Sequence, residues 1–156
     1  MIAILHNIRS NHNVGSIFRT ADAAGIEKIY LCGITPTPID RFNRENTALT
    51  KVALRGHKYV DWEHTKSITK LLHTLKKDKY TIFAIEQSKK SKSIYNIKLT
   101  KTKAKKTALI VGNEVKGLSA SILKRSDEII EIPMHGKKES LNVSVAFGIV
   151  IFQLIK

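Results

Sequence analysis

Apolar and polar positions fall in alternating blocks along the chain. Ile2 to Leu5 is a short apolar run, followed by a polar loop from His6 to His12. From there Val14, Ile17, Phe18 and Ala21 sit at i, i+3, i+4 and i+7, one face of a helix. Asn13 is placed to cap that helix, because its side-chain oxygen can accept a free first-turn amide. Gly25 is placed to end it. Lys28 to Cys32 reads as the next strand. Gly33 to Asn46 carries Pro36 and Pro38 and reads as a loop that helix cannot easily continue through. Thr47 to Leu54 reads as a short helix and Tyr59 to Trp62 as a strand. Ile68, Leu71, Leu72 and Leu75 repeat the amphipathic spacing, and Tyr80 to Ile85 is again a strand. Glu86 to Lys106, with eight lysines and one acid, reads as a solvated loop or short helical piece. Thr107 to Val111 is an apolar strand and Gly112 to Gly117 a turn. Ser119 can cap a short helix to Arg125, Glu128 to Ile132 is the last strand, and Pro133 to Ser140 is a loop. A closing helix is expected from Leu141 to Ile155.

Strands separated by helices predict an α/β fold, a parallel sheet flanked by helices on both faces. The closing helix is apolar nearly all round, so more than one of its sides should be buried. One side can meet the sheet and the other a second subunit. The chain shows no internal repeat, linker or boundary, so residues 1–156 are expected to form a single domain.

Charge changes the picture most. Lys and Arg number 27 and Asp and Glu 13, a net charge of +14. Such an excess either suits a polyanionic partner, whose neutralised phosphates release counterions, or is a lysine-rich surface kept for solubility. The single cysteine, Cys32, excludes an intrachain disulfide framework and argues against a cysteine-based zinc site. The N-terminus has no basic region before an apolar core. The run from Leu141 to Ile155 falls short of the ~20 residues of a membrane span. A cytoplasmic protein without membrane contact is expected.

Ligands of open parallel sheets bind beyond the carboxyl ends of the strands. Three polar loops fall there: His6 to Arg19, Gly112 to Ser119, and Pro133 to Asn142. The second, Gly112-Asn113-Glu114-Val115-Lys116-Gly117-Leu118-Ser119, has the glycine spacing of a phosphate-binding loop. However, Leu118 stands where that loop needs lysine, and Glu114 would repel a polyphosphate. The dinucleotide fingerprint is absent too. By spacing alone the turn is a plain one. Arg19 points away from the apolar face, roughly in line with Gly15 and Asp22. Spacing favours an arginine paired with a carboxylate over one offered to a phosphate or a reacting hydroxyl. Ser140 or Asn142 can cap the closing helix. The six histidines show no metal-ligand spacing, so no metal is expected.

Taken together, the three loops resemble the three motifs of the SpoU (TrmH-like) RNA ribose methyltransferases. The first motif is Asn13-Val14-Gly15-Ser16-Ile17-Phe18-Arg19-Thr20-Ala21-Asp22-Ala23-Ala24-Gly25. The second is Ile110-Val111-Gly112-Asn113-Glu114-Val115-Lys116-Gly117-Leu118. The third is Ile132-Pro133-Met134-His135-Gly136 with Ser140-Leu141-Asn142-Val143-Ser144-Val145-Ala146. Their order and spacing fit over almost the whole chain.

The resemblance implies a parallel α/β sheet whose C-terminal segment forms a deep trefoil knot. It also implies a homodimer that binds S-adenosyl-L-methionine and methylates a ribose 2′-hydroxyl in tRNA or rRNA. By position, Asn13 and Arg19 match the family's catalytic pair, and Glu114, Ser140 and Asn142 its supporting polar residues. Gln87, Val111, Gly112, Asn113, Gly117, Ile132, Met134 and Leu141 are the expected cofactor cradle. Lys89, Lys90, Lys92 and Arg9 are the basic residues expected on RNA. No separate RNA-binding extension is expected. A non-catalytic basic RNA-binding module on the same fold is the alternative.

Overall fold

A computed structural model describes residues 1–156. Seven parallel strands lie in the order β3-β2-β1-β6-β4-β7-β5. They are β1 (Ile2–His6), β2 (Lys28–Cys32), β3 (Asp61–Thr65), β4 (Thr81–Ile85), β5 (Lys92–Ser93), β6 (Thr107–Val111) and β7 (Glu128–Glu131). The helices are α1 (Asn11–Ala23), α2 (Thr47–Ala53), α3 (Gly56–Tyr59), α4 (Ile68–Lys77), α5 (Lys101–Lys105), α6 (Ala120–Arg125) and α7 (Val143–Leu154). A 3-10 turn spans Ile94–Asn96.

The central strand β6 is wholly buried, as its run Thr-Ala-Leu-Ile-Val requires of a strand covered on both faces. On one face Val14, Ile17, Phe18 and Ala21 of α1 pack with Phe147, Val150, Ile151 and Leu154 of α7. On the other, Ile68, Leu72 and Leu75 of α4 and Ile122 of α6 cover Ile4, Ile82 and Ile110. The helical spacing read from the sequence is thus the buried face of α1. Because every strand is parallel, all carboxyl ends lie on one edge, where β1, β4, β6 and β7 feed their loops.

Four expectations need correction. Ser10, not Asn13, caps α1: its hydroxyl accepts from the Asn13 amide at 3.2 Å, leaving the Asn13 side chain free for other partners. The strand expected at Tyr59–Trp62 runs instead from Asp61 to Thr65, after the helical turn of α3. It is an edge strand whose polar residues stay in water. The lysine-rich stretch does hold short helical pieces, at Ile94–Asn96 and in α5, but it is not simply solvated. Ile94 is fully buried, Ile97, Leu99 and Ala104 pack against the core, and Lys92 and Ser93 pair with β7. Finally, α7 begins at Val143, with Asn142 as the cap that accepts from the Ser144 amide at 2.9 Å.

Candidate active site

The ends of β4, β6 and β7 and the first turn of α7 enclose a cleft of about 270 Å3. Ile85, Val111, Ile132, Met134, Leu141, Val143 and Ala146 supply apolar walls, and Glu86, Glu114 and Glu131 supply carboxylates. Gln87, Val111, Gly112, Asn113, Gly117, Ile132, Met134 and Leu141, singled out from the sequence, all line it. So do Glu114, Ser140 and Asn142.

The floor depends on a close approach within the Gly112 turn. A Cβ on Gly112 would lie 2.7 Å from the Gly117 carbonyl carbon, and Gly117 itself has φ 62°. Neither position accepts a side chain without moving the turn. Asn113 closes the turn from within, its Oδ1 accepting from the Val115 and Lys116 amides at 3.0 and 2.9 Å. Its Nδ2 donates to the Asn7 carbonyl oxygen at 2.8 Å.

Glu114 ties this turn to α1. Its carboxylate accepts from the Arg9 amide at 3.0 Å, the Ser10 amide at 3.1 Å and Asn13 Nδ2 at 3.0 Å. Burial alone would raise its pKa. The bonds from the Arg9 backbone, the Asn13 side chain, its own backbone and the Ser10 backbone outweigh that, and hold it below the usual carboxylate value. The other end of the Asn13 amide accepts from Asn142 Nδ2 at 3.1 Å. One buried side chain thus joins the first, second and third motifs, residues 13, 114 and 142.

The connection from Ile132 to Leu141 has no backbone–backbone hydrogen bond. Apart from the Glu139 carbonyl, its amides and carbonyls are open to a ligand, as adenine recognition by main-chain groups requires. Gln87 Nε2 donates to the Glu139 carbonyl oxygen at 2.6 Å and holds this loop to the cleft. Apolar walls, free main-chain groups and carboxylates fit a molecule with an aromatic base, an aliphatic chain and positive charge. S-adenosyl-L-methionine is such a molecule.

Arg19 lies elsewhere. It is exposed, makes no hydrogen bond or ion pair, and does not line the cleft. The pairing with a carboxylate that spacing favours is therefore not formed. Lys89, Lys90 and Arg9 are exposed, and the backbone amides of Arg9 and Lys90 are engaged while the three side chains have no hydrogen-bond or ion-pair partner. Lys92 is paired with Glu128 at 2.7 Å. Burial, with Glu63 adding to it, pushes the Cys32 thiol up to about 12, so it offers no thiolate nucleophile. No group of three or more His, Cys, Asp or Glu is arranged to hold a metal, and no helix is long and apolar enough to cross a membrane.

Sequence reasoning missed Glu86 and Asn7. Glu86 accepts from the Leu118 amide at 2.8 Å and closes the turn from below. Asn7 sits at φ 56°, a left-handed position that asparagine tolerates. Its Oδ1 accepts from the Ile34 amide at 3.1 Å. A polar residue directly after each of two apolar strands was the available signal.

The model of the SpoU rRNA Methylase family matches residues 1–152. The chain is 33% identical over 153 residues to the tRNA (guanosine(18)-2′-O)-methyltransferase of Aquifex aeolicus, covering 98% of this chain and 67% of that protein. It is 30% identical over 155 residues to the 23S rRNA (guanosine-2′-O-)-methyltransferase RlmB of Escherichia coli K12, covering 99% of this chain and 59% of RlmB. An AdoMet-bound rRNA methyltransferase from Sinorhizobium meliloti superposes with a TM-score of 0.83 at 25% identity, covering 97% of this chain and 54% of that one. The chain therefore spans between a half and two thirds of these proteins.

Proposed function

The chain belongs to the SpoU rRNA methylase family, and from that premise we propose that it is an S-adenosyl-L-methionine-dependent RNA methyltransferase acting on a ribose 2′-hydroxyl of tRNA or rRNA. The observation that carries this reading is the Glu114–Asn13–Asn142 junction beside a cleft with free main-chain groups. All three motifs meet there.

Gly112, Ile132, Met134 and Leu141 would cradle the cofactor, and Gln87 would keep the 132–141 loop closed over it. When bound, the cofactor supplies an electrophilic methyl group on a sulfonium. The ribose hydroxyl attacks well only as its proton leaves, so negative charge must be stabilised on its oxygen. Guanidinium groups stay protonated in proteins, which suits Arg19 to clamp the adjacent phosphate and stabilise that oxygen rather than take its proton. Both ends of the Asn13 amide are already engaged, so it positions the first motif on the cleft and does not orient Arg19 of its own chain.

The same reading makes the protein a homodimer with shared sites. Val145, Ile149 and Phe152 are exposed on α7, and at 100° per residue they fall within about 60° of one another. Leu141 and Ile155 extend this apolar stripe. On this reading a second copy covers the stripe, and the Arg19 of each copy serves the cleft of the other. The reading includes the C-terminal knot that the family resemblance implies. It also includes a cytoplasmic setting, where such RNA is met.

Calorimetric titration with S-adenosylhomocysteine, followed by mapping of 2′-O-methyl marks in RNA with and without the gene, tests the proposal. Folded protein that binds no S-adenosylhomocysteine would move the reading to a non-catalytic RNA-binding module.

A further inference from the structure

The loop between β2 and α2 carries a feature that the cleft does not explain. Residues 38–46 form a small hairpin, with Ile39 bridged to Glu45. Asp40 builds its tip. Its backbone amide donates to the Arg44 carbonyl oxygen at 2.9 Å. Its Oδ1 accepts from the Phe42 and Arg44 amides at 2.8 and 2.9 Å, and its Oδ2 accepts from Arg44 Nε at 2.8 Å. Asn43 turns the chain at φ 60°. The result holds Phe42 in solvent, 61% exposed, with the guanidinium carbons of Arg41 and Arg44 4.7 and 5.0 Å from its ring centroid.

We propose that the Phe42 ring with its two arginines is a stacking platform for an unpaired nucleobase of the RNA, beside the nucleotide to be methylated. The inference rests on the RNA reading above. Its first support is chemical. Aromatic rings and guanidinium planes are the surfaces on which unstacked bases settle, and a nearby free cation holds the attached phosphate. Arg44 is neutralised by Asp40, whereas Arg41 has no carboxylate partner and keeps its charge for the ligand.

Position is the second support. The loop leaves the same sheet edge as the cleft and is coupled to it. The Ile34 amide donates to Asn7 Oδ1, and the Asn7 carbonyl oxygen accepts from Asn113 of the cleft floor at 2.8 Å. Asn46 Nδ2 donates to Asn11 Oδ1 at 2.8 Å, fixing the far end of the loop to the start of α1. A base held here stands at a set place relative to the first motif.

The third support separates the platform from a protein-docking patch. Arg41, Asp40 and Arg44 surround the ring, and an apolar partner would have to strip water from all three. The α7 stripe, by contrast, has no charge among its exposed apolar residues and is the surface suited to a second copy.

The test compares two RNAs of equal charge: a hairpin with an unpaired loop and a blunt duplex of the same length. The wild-type protein should prefer the hairpin. Phe42→Ala should weaken hairpin binding about tenfold and duplex binding less than about twofold, and Phe42→Trp should restore the preference. Affinity for S-adenosylhomocysteine should be unchanged in both variants. Phe42→Ala binding the hairpin as tightly as wild type would overturn the platform alone. Equal losses on both RNAs would reduce the ring to a contact indifferent to unpaired bases, and a change in sedimentation would make Phe42 an interface residue. Both results refute the proposal. Wild-type protein that binds neither RNA would bring down the RNA reading itself.

Discussion

Two residues of one helix behave oppositely. Asn13, in the first turn of α1, is buried and bonded to Glu114 and Asn142. The Arg19 side chain, six residues on, is exposed and has no hydrogen-bond or ion-pair partner. At 100° and 1.5 Å per residue the two stand about 120° apart around the helix and about 9 Å along its axis. They leave the helix on different faces, although the resemblance matches both to a catalytic pair. Asn13 belongs to the architecture that the chain builds alone. On the proposed function, Arg19 is a charge offered to an RNA phosphate at the cleft of a second copy.

The sharpest way to break this contrast is Arg19→Ala. Activity should fall by about 10²- to 10³-fold, the usual loss for a group that stabilises developing charge. Stability should stay within about 0.5 kcal/mol, as for an exposed residue without partners. Thermal unfolding beside an activity assay checks both. A large loss of stability would mean that Arg19 has structural partners after all. Arg19→Lys should also be inactive, because an ammonium lacks the planar fork.

Subunit exchange asks whether the second copy is needed. Arg19→Ala and Asn142→Ala are each expected to be inactive. Mixed dimers with shared sites would place both lesions in one site and leave the other intact. With random mixing about half the dimers are mixed, so roughly a quarter of wild-type activity should return. No recovery after verified exchange would return Arg19 to its own chain's cleft.

The lysine-rich stretch repeats the contrast in miniature. Lys89 and Lys90 have no ion-pair partner, whereas Lys92 holds Glu128. Replacing Lys89 and Lys90 by Gln should flatten the salt dependence of RNA binding by about 0.7 to 0.9 log units per lost contact. Lys92→Gln should leave the slope nearly unchanged. Equal slopes for all would mean that this run is only a solvated surface.

What the sequence made legible follows the same division. Helix faces and buried strands announce themselves by apolar period, so α1, α4 and β6 were readable. The strand β3, Asp-Trp-Glu-His-Thr, was displaced because an edge strand in water carries no such signal. Ile94 was hidden among lysines, since one buried residue in a short turn makes no period. Ordered motifs located the cleft residues of the second and third loops, while Glu86 was missed. The wiring of Asn13 was out of reach, because a bond between residues 13 and 142 depends on the fold and not on spacing.

The smallest expected effect concerns what the Glu114 charge contributes to the built side of the contrast. Its folded pKa lies below the usual value, so the unfolded chain binds the proton more readily. Such a group adds stability that is complete above the unfolded value, about 4.3 for Glu, and is lost as pH falls through the folded one. Glu114→Gln keeps the shape but puts an amide against the Arg9 and Ser10 donors. At pH 7 the variant should be less stable than wild type by about 1 kcal/mol or less, because this carboxylate is partly in water. That gap should close as pH falls below about 4.3 and through the lower folded value, since wild type then loses the charge the variant never had. Unfolding of both proteins from pH 7 to 3 measures the difference directly, and other carboxylates cancel in it. A gap that holds constant through acid would show that Glu114 joins the motifs by shape alone, and that its charge has no part in the junction.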